Sequence, residues 1–173
     1  LMRIVSIFIL IAGLLACGKH PGTYQTAVST GVEGAAAPQI KAGNELWEQR
    51  LDEENLKGAI TKYEEAYAVD PTSRHTLVRL TRSYYFWGDA FTDDDETKLE
   101  RWGKAIEYGT KCIALNAEVT KRINAKEKEK DAIQSAVKDD VPCIYWTSSA
   151  LGKWAKAQSL SKTLKFLPTV KAY

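Results

Sequence analysis

The sequence contains few of the residues that build metal and nucleophilic sites. Three cysteines and two histidines are spread over 173 residues, and their spacing matches no zinc-binding motif. It has no glycine-rich phosphate loop and no GxSxG nucleophile elbow. The charges nearly cancel, with 24 Lys+Arg against 22 Asp+Glu, which excludes a strongly basic nucleic-acid binder. We therefore expect a binding or structural protein that needs no cofactor, and not an enzyme.

The sequence also has no hydrophobic run long enough for a permanent membrane span. The apolar stretch from Ile4 to Ala16 is shorter than the roughly 20 residues that a bilayer requires, and it suits a signal peptide. It ends in Leu14–Cys17 (LLAC), which resembles the lipobox of bacterial lipoproteins. The resemblance implies that residues 1–16 are a signal peptide and that Cys17 carries the lipid. Since Gly18 follows, it implies an outer-membrane anchor with the protein facing the periplasm; the inner membrane remains the alternative.

Residues 17–38 have the composition of a linker. They are rich in Gly, Thr, Ser and Ala and show no apolar periodicity, which is typical of a flexible tether. His20 lies in this stretch, and we expect it to have no special role. The folded body is then predicted to span residues 39–173.

The body has the pattern of paired helices. It contains only three prolines and no convincing alternating strand pattern, while Glu, Lys, Ala and Leu dominate. Ala59, Tyr63, Ala66 and Pro71 are spaced as in the second helix of a tetratricopeptide repeat. Small residues at such positions let two helices approach closely, and the proline ends the helix. A first helix over Lys41–Leu51 would complete this repeat.

Two further units follow the first. In the second, Thr72 or Ser73 is predicted to cap one helix and Leu99–Leu115 to form the other, with an insertion at Trp87–Glu96 between them. The insertion is acidic, and we expect a solvated loop in preference to a weak calcium site.

The third unit is predicted to begin with a polar helix over Ala117–Lys138, followed by an aromatic helix from Cys143 and a last helix interrupted by Pro168. No polar capping helix follows, although helical solenoids need one. We therefore expect either that the repeat array is incomplete at Tyr173 or that a homo-oligomer forms through this end. The predicted fold class is an all-α, tetratricopeptide-like solenoid of helical hairpins.

The segment Val141–Ala155 (VPCIYWTSSALGKWA) resembles the "VPxxYW…LGKW" signature of the TRAP-transporter T-component (TatT) lipoproteins. The segments Ser83–Asp89 and Lys104–Gly109 are similar to that family as well, and the resemblance covers Trp47 to Tyr173. It implies an accessory transport lipoprotein that pairs with a TRAP solute-binding protein and binds a hydrophobic or organic-acid ligand. An envelope scaffold without a small ligand remains the alternative, because repeats alone do not separate the two.

Aromatic residues are the candidate ligand-binding groups. Large rigid rings bury much surface at low entropic cost, so they suit a ligand groove, although at helical spacing they also fill the space between helices. The candidates are Tyr84, Tyr85, Trp87, Tyr145, Trp146 and Trp154. Cys112 and Cys143 could pair in the periplasm, but Cys112 falls at a small-residue packing position, which favours two free thiols.

Overall fold

The structure is a computed structural model and describes residues 19–25 and 34–173. Every regular element in these ranges is helical, which confirms the all-α prediction. The described residues form eight α-helices: α1 Ala37–Glu48, α2 Glu53–Val69, α3 Arg74–Ala90, α4 Asp95–Ile113, α5 Ala117–Asn124, α6 Glu129–Ala132, α7 Val141–Gln158 and α8 Leu160–Ala172. Two 3₁₀ turns, Ile133–Ser135 and Lys138–Asp140, lie between α6 and α7. The predicted signal peptide and Cys17 lie outside the described residues.

Polar side chains set the starts of the helices. At five helix starts the capping side chain accepts a hydrogen bond from a backbone N–H of the first turn, a group that the helix itself leaves without a partner. The capping residues are Asp52, Ser73, Asp94, Asn116 and Ser159. Ser73 was one of the two predicted caps. Asp94 belongs to the acidic insertion, so part of that acidic run serves to start a helix.

The helices form three hairpins that pack in series. The hairpins are α1–α2, α3–α4 and α7–α8; α2 packs on α3, and α4 packs on α7. Short links make the two helices of each hairpin antiparallel neighbours. The buried small residues Ala59, Ala66, Ala105 and Gly109 lie on α2 and α4, where the repeat spacing predicted close helix contacts. We call this arrangement the three-hairpin stack.

Three clusters of buried apolar side chains stabilise the stack. The first centres on Tyr63 between α1, α2 and α3, and the second on Ile113 between α3, α4, α5 and α7. The third joins Ile106 of α4 to Leu151 of α7 and Phe166 of α8. Burial of a side chain of this size contributes about 1.5–3 kcal/mol, so the hairpins depend on one another for stability.

The structure corrects the predicted insertion in the second unit. Trp87–Ala90 continues α3 and α4 begins at Asp95, so only residues 91–94 link the two helices. The residues in excess of an ideal repeat therefore lengthen the hairpin, and no long loop forms. The first helix differs as well: it begins at Ala37, with Pro38 in its first turn, and ends at Glu48.

Two predictions about the third unit were also wrong. The polar helix expected over Ala117–Lys138 ends at Asn124, because Lys126 adopts the left-handed conformation with φ of 67°. The last helix, α8, passes through Pro168 without interruption. The proline removes one backbone hydrogen bond, and the packing of Phe166 and Val170 against α7 and α4 offsets that loss.

Among residues 19–25 and 34–173, no helix combines the length and apolar character needed to cross a membrane.

Candidate functional site: a groove between α3, α7 and α8

The structure does not bring the six candidate aromatic residues into one groove. Tyr84 and Trp87 face the second helices of the first two hairpins, α2 and α4, whereas Tyr85 turns towards α7. Neighbouring positions on a helix point about 100° apart, which explains why Tyr84 and Tyr85 separate. The candidates therefore fall into three groups.

Tyr84 and Trp87 fill the space between helices. The Tyr84 hydroxyl donates a hydrogen bond to Glu64 Oε1 at 2.7 Å, and its ring stacks on Tyr108 at 5.8 Å between centroids. Burial, then the hydrogen bond to Glu64, raises the pKa of Tyr84. Trp87 Nε1 donates to Glu53 Oε1 at 2.8 Å. These partners give both residues packing roles in the three-hairpin stack.

Trp154 packs near the C-terminal end of α7. Its ring meets Phe166 edge to face, with centroids 5.8 Å apart, and it belongs to the cluster that joins α4, α7 and α8. An edge-to-face pair of this kind contributes about 0.5–1.5 kcal/mol beyond its burial. Trp154 thus helps to close the α7–α8 hairpin.

Tyr85, Tyr145 and Trp146 do form a group. The Trp146 ring lies 5.7 Å from the Tyr85 ring and 4.9 Å from the Tyr145 ring. Tyr85 and Tyr145 line a groove of about 670 Å³ between α3, α7 and α8. Of the three rings, Tyr145 is the most open to solvent, with 59% of its surface exposed.

One face of α7 forms the floor of this groove. Val141, Tyr145, Ser148 and Gly152 recur every three or four residues, which places them on the same side of the helix. Val170 of α8 forms part of one wall of the groove. The hydroxyl of Ser148 donates a hydrogen bond to the Val170 carbonyl at 3.2 Å, which joins the α7 floor to the α8 wall. The groove thus has an apolar and aromatic floor.

Two lysines stand at one end of the groove. Lys153 Nζ donates a hydrogen bond to Asp89 Oδ1 at 2.5 Å, and this bond raises the pKa of Lys153. Lys156 is exposed, and among the described residues no carboxylate lies within 4.0 Å of its amino group. An amphipathic acid would fit this arrangement, with its chain on the floor and its carboxylate near Lys156. Lys156 was not among the candidates from the sequence, where its position one turn after Gly152 is the signal that could have marked it.

A disulfide joins α4 to the start of α7. Cys112 and Cys143 are bonded, with their Cα atoms 5.6 Å apart, so the expectation of two free thiols was wrong. Both residues are fully buried where α4 packs on α7, and this packing brings them together. Nearby, the buried Asp140 accepts hydrogen bonds from Arg74 at 2.7 Å and from Asn116 at 2.6 Å.

Part of the expected tether contacts the body. The His20 ring lies 3.1 Å from Glu129, and the Tyr24 hydroxyl donates a hydrogen bond to the same carboxylate. Gly22 lies against Thr110 of α4, where a larger residue would collide with the threonine side chain. His20 thus contacts the folded body, which its place in the expected tether did not predict. Its partner is remote in sequence, so no local pattern could reveal the contact.

No cluster of three or more metal-ligating side chains occurs within the part of the chain that the structure describes. No known family model matches this sequence, and none of the curated proteins is a significant match. The similarity to the TatT lipoproteins therefore depends on the motif residues alone and stays a prediction.

Proposed function

We propose that this protein is a periplasm-facing, lipid-anchored accessory component of a TRAP-type transport system. It binds an amphipathic organic acid in the groove between α3, α7 and α8 and works with the solute-binding protein of the system. The groove carries the proposal, because it places an exposed lysine at the end of an apolar and aromatic floor. Its α7 floor lies within the segment that resembles the TatT signature.

The disulfide supports the proposed compartment. Disulfides persist in oxidising compartments such as the periplasm and are rare in the cytosol. The Cys112–Cys143 bond agrees with export across the inner membrane. Cys17, the proposed site of lipidation, lies outside the described residues, and the lipobox resemblance alone supports its role.

Ligand binding can be tested by tryptophan fluorescence. Titration with octanoate is expected to change the emission, because Trp146 contacts both tyrosines of the groove, whereas octanol, which lacks the carboxylate, should bind more weakly. Replacing Lys156 by Gln should weaken octanoate binding about tenfold, the typical effect of losing one hydrogen bond to a charged group. The matched control is Lys128→Gln, which removes an exposed lysine outside the groove. Equal octanoate affinity in both variants would contradict the proposed ligand site.

Anchoring and partnership need separate tests. Radiolabelled palmitate should enter the full-length protein and not the Cys17→Ser variant, because acylation requires the thiol. Incorporation of palmitate into both the parent protein and Cys17→Ser would contradict the prediction that Cys17 is the lipidation site. The partnership predicts that neighbouring genes encode a TRAP solute-binding protein and permease, and that the purified solute-binding protein binds this chain.

An envelope scaffold is the second candidate function. Leu160, Leu164 and Leu167 lie on one side of α8 and are 75%, 61% and 38% exposed. Leucines three and four residues apart form a continuous apolar stripe, which favours contact with another protein or with a second copy of the chain. Sedimentation of the protein and of the Leu164→Glu variant tests this: an assembly that Leu164→Glu disrupts, without any octanoate binding, would favour the scaffold.

A further inference from the structure

Three arginines gather near Trp47 of α1 and Trp146 of α7. The Arg82 guanidinium carbon lies 4.6 Å from the centre of the Trp47 ring and 5.2 Å from that of Trp146. The Arg50 guanidinium carbon lies 4.9 Å from the Trp47 ring. Arg79 precedes Arg82 by three residues, so both lie on the same side of α3. We refer to Arg50, Arg79 and Arg82 as the arginine cluster.

The two indole rings hold Arg82 in place. Trp47 is buried, with 2% of its surface exposed, and Trp146 is half-buried. A guanidinium close to an indole face is attracted to the ring, and its side chain loses mobility. Arg82 is therefore ordered before any ligand arrives, which lowers the entropic cost of binding.

The cluster lacks a neutralising partner within the described residues. Among the described residues, the arginines that form ion pairs are Arg74 and Arg122. No carboxylate oxygen of these residues lies within 4.0 Å of a guanidinium nitrogen of the cluster. Burial, followed by the charges of Arg50 and Arg79, lowers the pKa of Arg82. Glu48 opposes this effect only from a longer distance.

Two further titratable groups near the cluster, His75 and Tyr63, carry no negative charge at neutral pH. His75 Nε2 lies 3.5 Å from Arg79 Nε, and burial lowers the pKa of this imidazole. Burial raises the pKa of Tyr63 to about 12, so this phenol stays neutral. Within the part of the chain that the structure describes, the three guanidinium groups therefore have no ion-pair partner, which leaves their charge available to an acidic ligand.

We infer that the arginine cluster is a binding site for a ligand with two carboxylates. Guanidinium groups pair with carboxylates through two parallel hydrogen bonds, and several close together accommodate more than one acidic group. The half-buried Trp146 ring beside them offers apolar surface to a carbon skeleton, which inorganic phosphate does not possess. Two sources supply this chemistry: a free dicarboxylate, or neighbouring acidic side chains of a partner protein.

The arginine cluster and the groove share no charged residue, although Trp146 adjoins both, and the cluster does not depend on the proposed transport function. None of the three arginines lines the groove, and Lys156 is not part of the cluster. Octanoate binding and dicarboxylate binding can therefore fail separately. An Arg82 variant tests the cluster, and a Lys156 variant tests the groove.

The experiment uses the lipid-free mature protein and three probes at equal ionic strength: succinate, inorganic phosphate and the acetylated, amidated dipeptide Glu-Glu. Calorimetry should detect binding of succinate or of the dipeptide. Arg82→Gln, which removes the charge, should weaken that binding about ten- to a hundredfold, as expected for the loss of a charge-assisted hydrogen bond. Arg82→Lys retains the positive charge but cannot form two parallel hydrogen bonds to one carboxylate. Its affinity should therefore lie between those of the parent protein and Arg82→Gln. Added sodium chloride should weaken binding in the parent protein.

Arg101→Gln is the matched control. The Arg101 guanidinium also lies over an indole ring, 3.9 Å from the centre of Trp87, whereas Arg50 and Arg82 lie over Trp47 and Trp146. It should bind the probes like the parent protein. Circular dichroism of each variant checks that the fold is intact.

The outcomes separate the sources. Tighter binding of the dipeptide than of succinate indicates a partner protein, and the reverse indicates a free dicarboxylate; both support the site. Phosphate binding tighter than either would overturn the carboxylate assignment. The inference is also wrong if no probe binds at millimolar concentration, or if a folded Arg82→Gln protein binds like the parent.

Discussion

His20 Nε2 lies 3.1 Å from Glu129 Oε1, although 109 positions separate the two residues in the sequence. The hydroxyls of Tyr24 and Tyr173 donate hydrogen bonds to the same oxygen. Pro21 also lies against α4, close to Gly103. Glu129 therefore connects the segment of residues 19–25 to the last helix and to α6. If Cys17 carries a lipid, the contacts of residues 19–25 with the body hold the body close to the lipid anchor, because only a few residues separate them from Cys17.

Replacing Glu129 by Gln should destabilise the protein. Burial opposes ionisation of Glu129, but hydrogen bonds from His20, Tyr173 and Tyr24 outweigh it and hold the pKa below its usual value of 4.5. The loss of hydrogen bonds to a charged group costs about 1–3 kcal/mol, measured by urea unfolding at neutral pH. The exposed Glu118→Gln variant is the control and should change stability by less than about 0.5 kcal/mol.

The same carboxylate predicts a pH dependence. Because the pKa of Glu129 is lower in the folded state, its contribution is present above pH 4.5 and is lost as the pH falls through the lowered folded value. The difference in melting temperature between the parent and Glu129→Gln should shrink as the pH is lowered below 4.5. A difference that stays constant down to strongly acidic pH would show that Glu129 is not ionised in the folded protein.

Removing the disulfide should also destabilise the fold. Cys112 and Cys143 are 31 residues apart, and cross-linking a loop of this length stabilises a protein by about 2–4 kcal/mol. The double variant Cys112→Ser, Cys143→Ser should unfold at a correspondingly lower urea concentration. The parent protein under reducing conditions is the control and should behave like the double variant. Two reactive thiols in the unfolded, unreduced mature protein, beyond any at Cys17, would contradict the bond.

Asp140→Asn should be among the most disruptive single changes. The carboxylate is fully buried and accepts hydrogen bonds from Arg74, from Asn116 and from the backbone N–H of Val137 at 2.9 Å. Breaking a buried ion pair costs about 3–5 kcal/mol, and we expect the lower value because Arg74 is one-third exposed. The neighbouring Asp139→Asn is the control, since Asp139 is exposed. Similar unfolding curves for the two variants would rule out this role of Asp140.

Two helical glycines make a matched pair for the packing of α4 on α7. A Cβ atom at Gly109 would collide with Thr147 and lie 3.1 Å from Thr81, whereas one at Gly152 would meet nothing within 4 Å. Gly109→Ala should destabilise the protein by about 1–3 kcal/mol through overpacking. Gly152→Ala should stabilise it by up to about 1 kcal/mol, because alanine favours the helix. Thermal unfolding of both variants checks the contact, and a stabilising Gly109→Ala would contradict it.

The helical class and much of the helix placement were predictable from the sequence, because they depend on local interactions. Ser73 caps α3 by accepting a hydrogen bond from the backbone N–H of Thr76, three residues on, and Ala59 and Ala66 are buried at predicted positions. The predictions failed where tertiary packing outweighs local preference. Packing carries α8 through Pro168, and the left-handed Lys126 ends α5 within a run of helix-forming residues.

The candidate site was predictable only in part. The sequence identified aromatic residues on α3 and α7, and the stacking of the hairpins decided that Tyr85 and Tyr145 line a groove whereas Tyr84 and Trp87 pack between helices. The pairing of Cys112 with Cys143 and the position of Arg82 between two tryptophans were decided in the same way. Helices form from contacts three or four residues apart, which composition and spacing encode. Contacts between remote residues arise only when the hairpins pack, and the geometry of that packing sets which side chains meet.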